Sequence, residues 1–410
     1  MISQSKENEI SYDLFSSRFK SDPFPTYAKM RREAPIYAHR APDGTAIWYI
    51  TAYNDVVAVL RDDENFCKDP RNARSSPSGP ASRKTTIHQR INENMLFSDP
   101  PHHSRLRALV SKTFTPRRIE SMAPHIQLIA DKLLDEVEAT GHMDLIASYA
   151  LPLPLAVICE MLGIPSQDHE LVADWSQAII SPGSRNLNYS TRKRKVRAFI
   201  AYLDQLTAKR RTDPQDDLIT DLAMVEEQGD RLSEMELSSM IALLLVTGHE
   251  TTVNLIGNGA LALLLHPDQT TFLREQPSYW LLAVEELLRY DGPVETSTSR
   301  WARRDVQFRE HVIKSGDLVR VVLSSANRDE NIWDRAQDLD VGRPDNKHLA
   351  FGMGIHYCLG APLARLEGVI ALKTLFHRFQ KVKLILPPEE LTWRSGILFR
   401  ALEKLEVRCR

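Results

Sequence analysis

The stretch "FGMGIHYCLGAPLAR", Phe351 to Arg365, sets one cysteine among glycines, directly ahead of a segment that reads as the start of a helix. Gly352, Gly354 and Gly360 relax the steric limits on backbone angles and let a flat ligand approach closely. Pro362 falls in the first turn of the helix that follows, where a missing N–H costs nothing. Cys358 therefore stands at a helix N-terminus, where unpaired N–H groups and the dipole stabilise a thiolate. Four special roles compete for it: disulfide partner, zinc ligand, catalytic nucleophile, or thiolate bound to iron. For a lone cysteine beside a tight turn, a plain buried thiol is the commoner outcome.

The remaining sequence narrows the choice. The other cysteines are Cys67, Cys159 and Cys409, with no C-x-x-C spacing, which argues against a disulfide framework or zinc ribbon and fits a reducing compartment. The 410 residues can bury a large core, and 42% apolar with 26% charged residues is ordinary for a globular protein. A net charge of -2 gives no bias toward nucleic acid or membrane. The opening "MISQSKENEISYD" lacks the basic-then-apolar order of a signal peptide. The longest apolar run, Met240 to His266, is interrupted by Thr247, Gly248, His249 and Glu250, which would be costly in a bilayer. The expectation is a cytoplasmic protein with no membrane span.

Along the chain, "PIYAHR" and "TAIWYITAY" read as a hairpin joined at "APDG", followed by a short helix capped by Asn54. Helical patterns dominate from Pro101 to Arg289. One helix ends at Gly141, and Ser233 with Glu236 forms a capping box before a very long one. Strand character returns in "VQF", "VIKSGDLVRVVLSS", "KLILPP" and "LFRALEKLEVRCR". No repeat or linker compels a cut, so residues 1–410 read as a single domain, mainly α with small β-sheets. Two basic, acid-free stretches, Arg71 to Thr86 and Ser184 to Arg197, read as loops, either solvated surface or lids over a pocket. Neither carries the stacking aromatics of a nucleic-acid arm.

Taken whole, F-G-x-G-x-H-x-C-x-G resembles the haem-binding loop of the cytochrome P450 family, of the bacterial soluble type. The resemblance implies haem b held between a long central helix and the cysteine loop. Cys358 becomes the axial iron ligand, whose electron donation favours O–O cleavage, and His356 a haem propionate partner. "DPPHHSRLR" resembles a second family pattern, D-P-P-x-H-x-R-L-R, which makes His103 and Arg107 propionate partners, and Arg300 in "TSTSRWA" matches a third. Recognisable motifs run from about Asp99 to Arg365.

Glu286 and Arg289 lie off the apolar stripe of their helix, so periodicity alone makes them an exposed pair worth about 0.3–0.5 kcal/mol. The resemblance implies instead a buried E-x-x-R pair bonded to Arg343, maintaining the fold behind the haem. "VTGHETT" in the long helix reads blandly as close packing at Gly248 and a Thr251 hydroxyl bonded to the carbonyl four residues back. Its likeness to the family's A-G-x-E-T-T implies a distorted turn above the iron, with Glu250 and Thr251 as the acid–alcohol pair for proton delivery. Thr247 stands where the family usually has alanine and adds a hydroxyl there.

The implied reaction is monooxygenation by O2 of a small apolar organic substrate, by hydroxylation or epoxidation. Thr247, Val294, Thr296 and Leu398 are the pocket residues by family position. No flavin or dinucleotide fingerprint appears, so electrons come from a separate ferredoxin and ferredoxin reductase serving a monomeric enzyme. Arg105, Lys112, Arg117, Arg118 and Arg365 form the expected docking patch, since Arg105 to Arg118 contains no acid. Two alternatives stand beside this reading: a peroxide-driven peroxygenase, and a non-catalytic haem-binding or ligand-sensing protein on the same fold.

Overall fold

In the computed structural model, which describes residues 11–40, 46–73, 87–180, 188–226 and 229–410, one 32-residue helix, Glu234–Leu265, is buried on nearly every side. The helices that position the site, numbered in chain order, are α1 (Tyr53–Arg61), α2 (His102–Thr113), α3 (Ala123–Thr140), α4 (Pro152–Leu162), α5 (His169–Ile180), α6 (Tyr189–Thr212), α7 (Glu234–Leu265), α8 (Trp280–Asp291) and α9 (Ala361–Arg378). By length and composition α7 could cross a membrane, but α4, α6, α8 and α9 pack around it. Its leucine-rich run therefore serves as the core of the helical part. The capping box forms: Ser233 Oγ accepts from the Glu236 N–H, and the Glu236 carboxylate accepts from the Ser233 N–H at 2.8 Å.

The strands are β1 (Ile36–Arg40), β2 (Ala46–Ile50), β3 (Phe66–Cys67), β4 (His142–Asp144), β5 (Arg300–Ala302), β6 (Val306–Phe308), β7 (His311–Ile313), β8 (Leu318–Val321), β9 (Val382–Leu384) and β10 (Glu406–Cys409). They form a five-stranded sheet in the order β1-β2-β8-β5-β3, a three-stranded sheet β4-β10-β9 and the hairpin β6-β7. Strands β1 and β2 pair antiparallel as expected, with Ile36 opposite Ile50, while the APDG turn lies outside the described residues. In the edge pair, Cys67 faces Trp301 antiparallel, so the next step of that register sets Lys68 beside Arg300.

Several local expectations are corrected. Asn54 does not cap α1. The helix begins at Tyr53, whose N–H donates to Asp329 Oδ2 at 2.9 Å, so a distant carboxylate does the capping. Strand β8 ends at Val321, and Leu323–Ala326 turn into a short helix. The basic stretch Ser184 to Arg197 is not all loop. From Tyr189 it is the start of α6, and Asn188 Oδ1 caps the Thr191 N–H at 2.8 Å. Of Arg71 to Thr86, residues 71–73 lie in a short helical turn and the rest lie outside the described residues. Helix α7 runs unbroken through Gly248. A Cβ on Gly248 would sit 3.2 Å from Ile158, so the glycine there serves the close approach of α4.

Glu286 and Arg289 are completely buried, unlike the exposed pair that periodicity alone predicts. Arg289 donates to both Glu286 oxygens at 2.7 and 2.8 Å, and Arg343 Nε lies 3.1 and 3.2 Å from the same carboxylate. Arg289 also donates to the carbonyls of Asn327, Ala336 and Asp338. One helix thus grips the irregular chain that leads to the cysteine loop. Removing one partner strands the other charges in low dielectric, a loss of about 3–5 kcal/mol. Glu286→Ala is expected to lose that much stability in denaturant titration, and a loss below about 1 kcal/mol would mean solvated charges.

Glu367, on the buried side of α9, has one carboxyl oxygen with no polar partner, and burial holds its pKa well above the ordinary value. The unfolded carboxyl ionises near 4.5 while the folded one keeps its proton. The folded state then binds more protons, so stability declines as pH rises above that value, by about 1.4 kcal/mol per unit. Glu367→Gln is expected to flatten the slope just above pH 4.5. An unchanged slope would show that the group is not held neutral.

Candidate active site

The cysteine loop is shaped by two left-handed glycines, Gly352 at φ 69° and Gly354 at φ 72°. At Gly354 a Cβ would also come within 2.7 Å of the Leu60 carbonyl at the end of α1, so glycine alone fits. Gly360 differs: its φ of -82° suits any residue, and a Cβ there would meet nothing within 4 Å. The Cys358 N–H donates to the Phe351 carbonyl at 3.0 Å, closing the loop. Burial pushes the Cys358 thiol up, while N–H groups of Gly360 and Ala361 and the guanidiniums of Arg107 and Arg365 favour the thiolate. All four cysteines are free, and among the described residues no group of three or more His, Cys, Asp or Glu converges as for a directly bound ion. The disulfide and zinc roles therefore lack their partners.

Around the loop the fold gathers His103 and Arg107 from α2, Arg300 from β5, His356 from the loop, and Lys68, which follows β3. His103 lies against His356 with ring centroids 4.4 Å apart and planes tilted by 57°, and neither His103 nitrogen has a hydrogen-bond partner. Burial, then Lys68, His103, Arg300 and Arg107, push the His356 pKa down to about 2. Burial lowers Arg300 to about 10 and drives Lys68 well below its usual range, with Arg300 adding repulsion. Lys68 Nζ has only neutral acceptors, the Thr298 hydroxyl and the carbonyls of Thr298 and Ser299. The acids acting on this group are Asp99 and, on His103, Asp63. Asp99 is already occupied by the N–H groups of Lys68 and Asp69 and by Asn72. Sequence reading missed Lys68. Its signal, a lysine at a strand end, becomes meaningful only once β3 pairs with β5.

Beyond this cluster lies a cavity of about 410 Å³. Thr247 and Thr251 from α7, with Val294, Thr298, Leu398 and Phe399, line one part of it, and α6 contributes to the wall. Thr247 Oγ1 donates to the Leu243 carbonyl at 2.7 Å and Thr251 Oγ1 to the Thr247 carbonyl at 2.8 Å, so both hydroxyls offer acceptor lone pairs inward. Thr296 is corrected: it does not line the cavity, because its hydroxyl donates to the Ile397 carbonyl at 2.8 Å and the residue is buried beneath. Glu250 is also outside the lining. It is buried against Arg394, at 2.5 Å, and receives Gln177 Nε2 at 3.1 Å.

The acid-free run Arg105 to Arg118 does not make a bare positive patch, because acids from other elements meet it. Arg105 pairs with Glu236 and Asp230, Arg118 with Asp221, and Arg365 donates to both oxygens of Glu285 at 2.6 and 2.9 Å. Local sequence counts charges along the chain, whereas pairing is set across it.

Comparison with known proteins agrees with this arrangement. The family model for cytochrome P450 matches residues 178–390. The chain is 41% identical over 404 residues to the polyketide biosynthesis cytochrome P450 PksS of Bacillus subtilis, covering 97% of this chain and 98% of that one. It is 41% identical to the cytochrome P450 monooxygenase PikC of Streptomyces venezuelae, covering 96% and 92%. A solved structure of P450BioI in complex with hexadec-9Z-enoic acid ligated acyl carrier protein superposes with a TM-score of 0.86 at 36% identity, covering 96% and 99%. The chain belongs to the cytochrome P450 family. It is a haem-dependent monooxygenase, and its cofactor is haem b.

The residues present fit that group. Haem b carries two propionates, and the buried cations beside Cys358 lack the carboxylates that would answer them. Lys68→Met removes one positive charge from the cluster. It is expected to lower the haem midpoint potential and hasten haem loss to an acceptor protein, read by spectroelectrochemistry and haem transfer. Unchanged values in both would remove Lys68 from the haem environment.

Proposed function

We propose that this chain, acting as one domain and as a monomer in the cytoplasm, inserts one oxygen atom from O2 into a largely apolar small molecule. The observation that carries the reading is a loop cysteine beside a buried, uncompensated cation cluster, with Thr298 joining Lys68 of that cluster to an apolar cavity. Cys358 would hold the iron as thiolate, and His103, Arg107, Arg300 and His356 would hold the propionates, joined by Lys68. When bound, the haem supplies O2 binding and electron-accepting chemistry that side chains lack. Glu286, Arg289 and Arg343 keep the loop in register from behind. Val294, Leu398 and the aliphatic face of α7 exclude water and orient the substrate. Thr251, its own proton committed to a carbonyl, accepts a hydrogen bond from a water in the cavity and positions that proton for delivery. Electrons come from a separate ferredoxin and its reductase, a reading supported by the lack of any flavin or dinucleotide motif.

One observation favours a second reading, peroxide-driven turnover: Glu250 is engaged with Arg394 and Gln177 and does not face the cavity. Assaying one substrate with NAD(P)H and ferredoxin partners, and separately with peroxide, decides between them. Turnover only with peroxide would overturn the monooxygenase reading.

Cys358→His is expected to abolish the red-shifted Soret band of the reduced carbon monoxide complex, and persistence of that band would remove Cys358 as ligand. Thr251→Ala is expected to keep substrate binding and NAD(P)H consumption but to release more peroxide and less product. Unaltered coupling would assign proton delivery elsewhere.

A further inference from the structure

Resting on the reading above, the outer end of the cavity narrows the substrate class. Its α6 wall is Tyr189, Arg192, Lys193 and Val196. These positions follow the i, i+3, i+4, i+7 spacing of one helix face. A face lining an apolar cavity is ordinarily apolar throughout, yet here two of the four are cations. They also stand in the first turns of α6, which contain no acid in the first turn, where the helix dipole already disfavours positive charge.

Neither cation has an acidic partner among the described residues. Arg192 Nε donates to the neutral Ala178 carbonyl at 2.8 Å, and Lys193 Nζ lies 5.9 Å from the Tyr189 ring. The acid nearby in the fold, Asp174, is taken by Lys195. Tyr189 is 71% exposed, so this end opens to solvent. The inner end is Thr251. On α7 the lining runs from Ala242 to Thr251, about 13 Å at 1.5 Å per residue. Between the two ends the wall is Leu96, Phe97, Leu243, Val246 and Leu398.

We propose that Arg192 and Lys193 form an anion subsite, and that the substrate is an amphiphile. Its apolar chain lies along the cavity toward Thr251, and a terminal carboxylate or phosphate is held at the α6 end. A free long-chain acid supplies such a group, and so does the phosphodiester of a pantetheine arm bearing an acyl thioester. The shared chemistry is an anionic head on an apolar tail.

The test uses the haem-loaded full chain, titrated with dodecanoate, its methyl ester and dodecanol. Binding is read by the spin-state shift of the haem spectrum and by equilibrium dialysis. Dodecanoate is expected to bind at least about tenfold more tightly than the ester, equivalent to about 1.4 kcal/mol. Arg192→Gln/Lys193→Gln is expected to remove that preference while ester affinity holds, and Arg192→Lys, which keeps the charge, to retain it. A parallel arm uses S-dodecanoyl phosphopantetheine, free and on a carrier protein. Binding of either that the double variant abolishes also supports the subsite and identifies the source of the anion. Equal affinity for acid and ester, with thioester binding that ignores the double variant, overturns the proposal. The reduced carbon monoxide spectrum of the same samples tests the haem reading separately. An intact thiolate band together with that overturning result sinks the subsite alone.

Discussion

Buried positive charge without matching negative charge is the constraint on which this structure turns. Lys68, Arg107, Arg300 and two histidines share a small volume, and the neighbouring Asp99 is already occupied by backbone and amide donors and by Arg303. Desolvation of such a group is expensive in low dielectric unless partners arrive. Haem b, with two carboxylates, would bring them. Folding and cofactor binding are therefore linked, because what binds the native state alone stabilises it.

A second buried charge group does a different task. Glu286 is satisfied entirely from within the protein, by Arg289, Arg343, Asn346 and the Asp340 N–H. It needs no ligand, so it can hold the chain before the cysteine loop in place with or without one. The two groups lie on consecutive parts of the same assembly, one closed and rigid, the other left open for a partner. On the opposite side, α7 is leucine-rich, largely buried and continuous. Its Thr247 and Thr251 hydroxyls bond back to its own carbonyls, so these two threonines present only acceptor lone pairs to the cavity.

Much of this was legible in the chain. The cysteine loop, the long helix with its capping box, the β1–β2 pairing and the end of α3 at Gly141 all depend on residues within a few positions of one another. Glycine angles, cap geometry and apolar periodicity act at that range. The expectations that failed were those in which a remote group decides. Asn54 lost its capping role to Asp329, Arg105 on α2 met Glu236 of α7 and Arg365 on α9 met Glu285 of α8, and Thr296 turned away because Ile397 offered it a carbonyl.

The sequence by itself determined the chemistry available: a cysteine in a glycine frame at a helix start, basic residues at recognisable spacings, and a helix apolar enough to be a core. Only the tertiary structure decided which charges stand alone. Lys68 joins the buried cation cluster because β3 pairs antiparallel with β5, and Glu250 leaves the cavity because Arg394 reaches it from the other end of the chain. Arg192 and Lys193 turn from a basic run into two cations at a cavity mouth because α6 presents that face to α7. The physical reason is the same in each case: a charge is defined by its partners and its dielectric, and both are set by segments far apart in sequence.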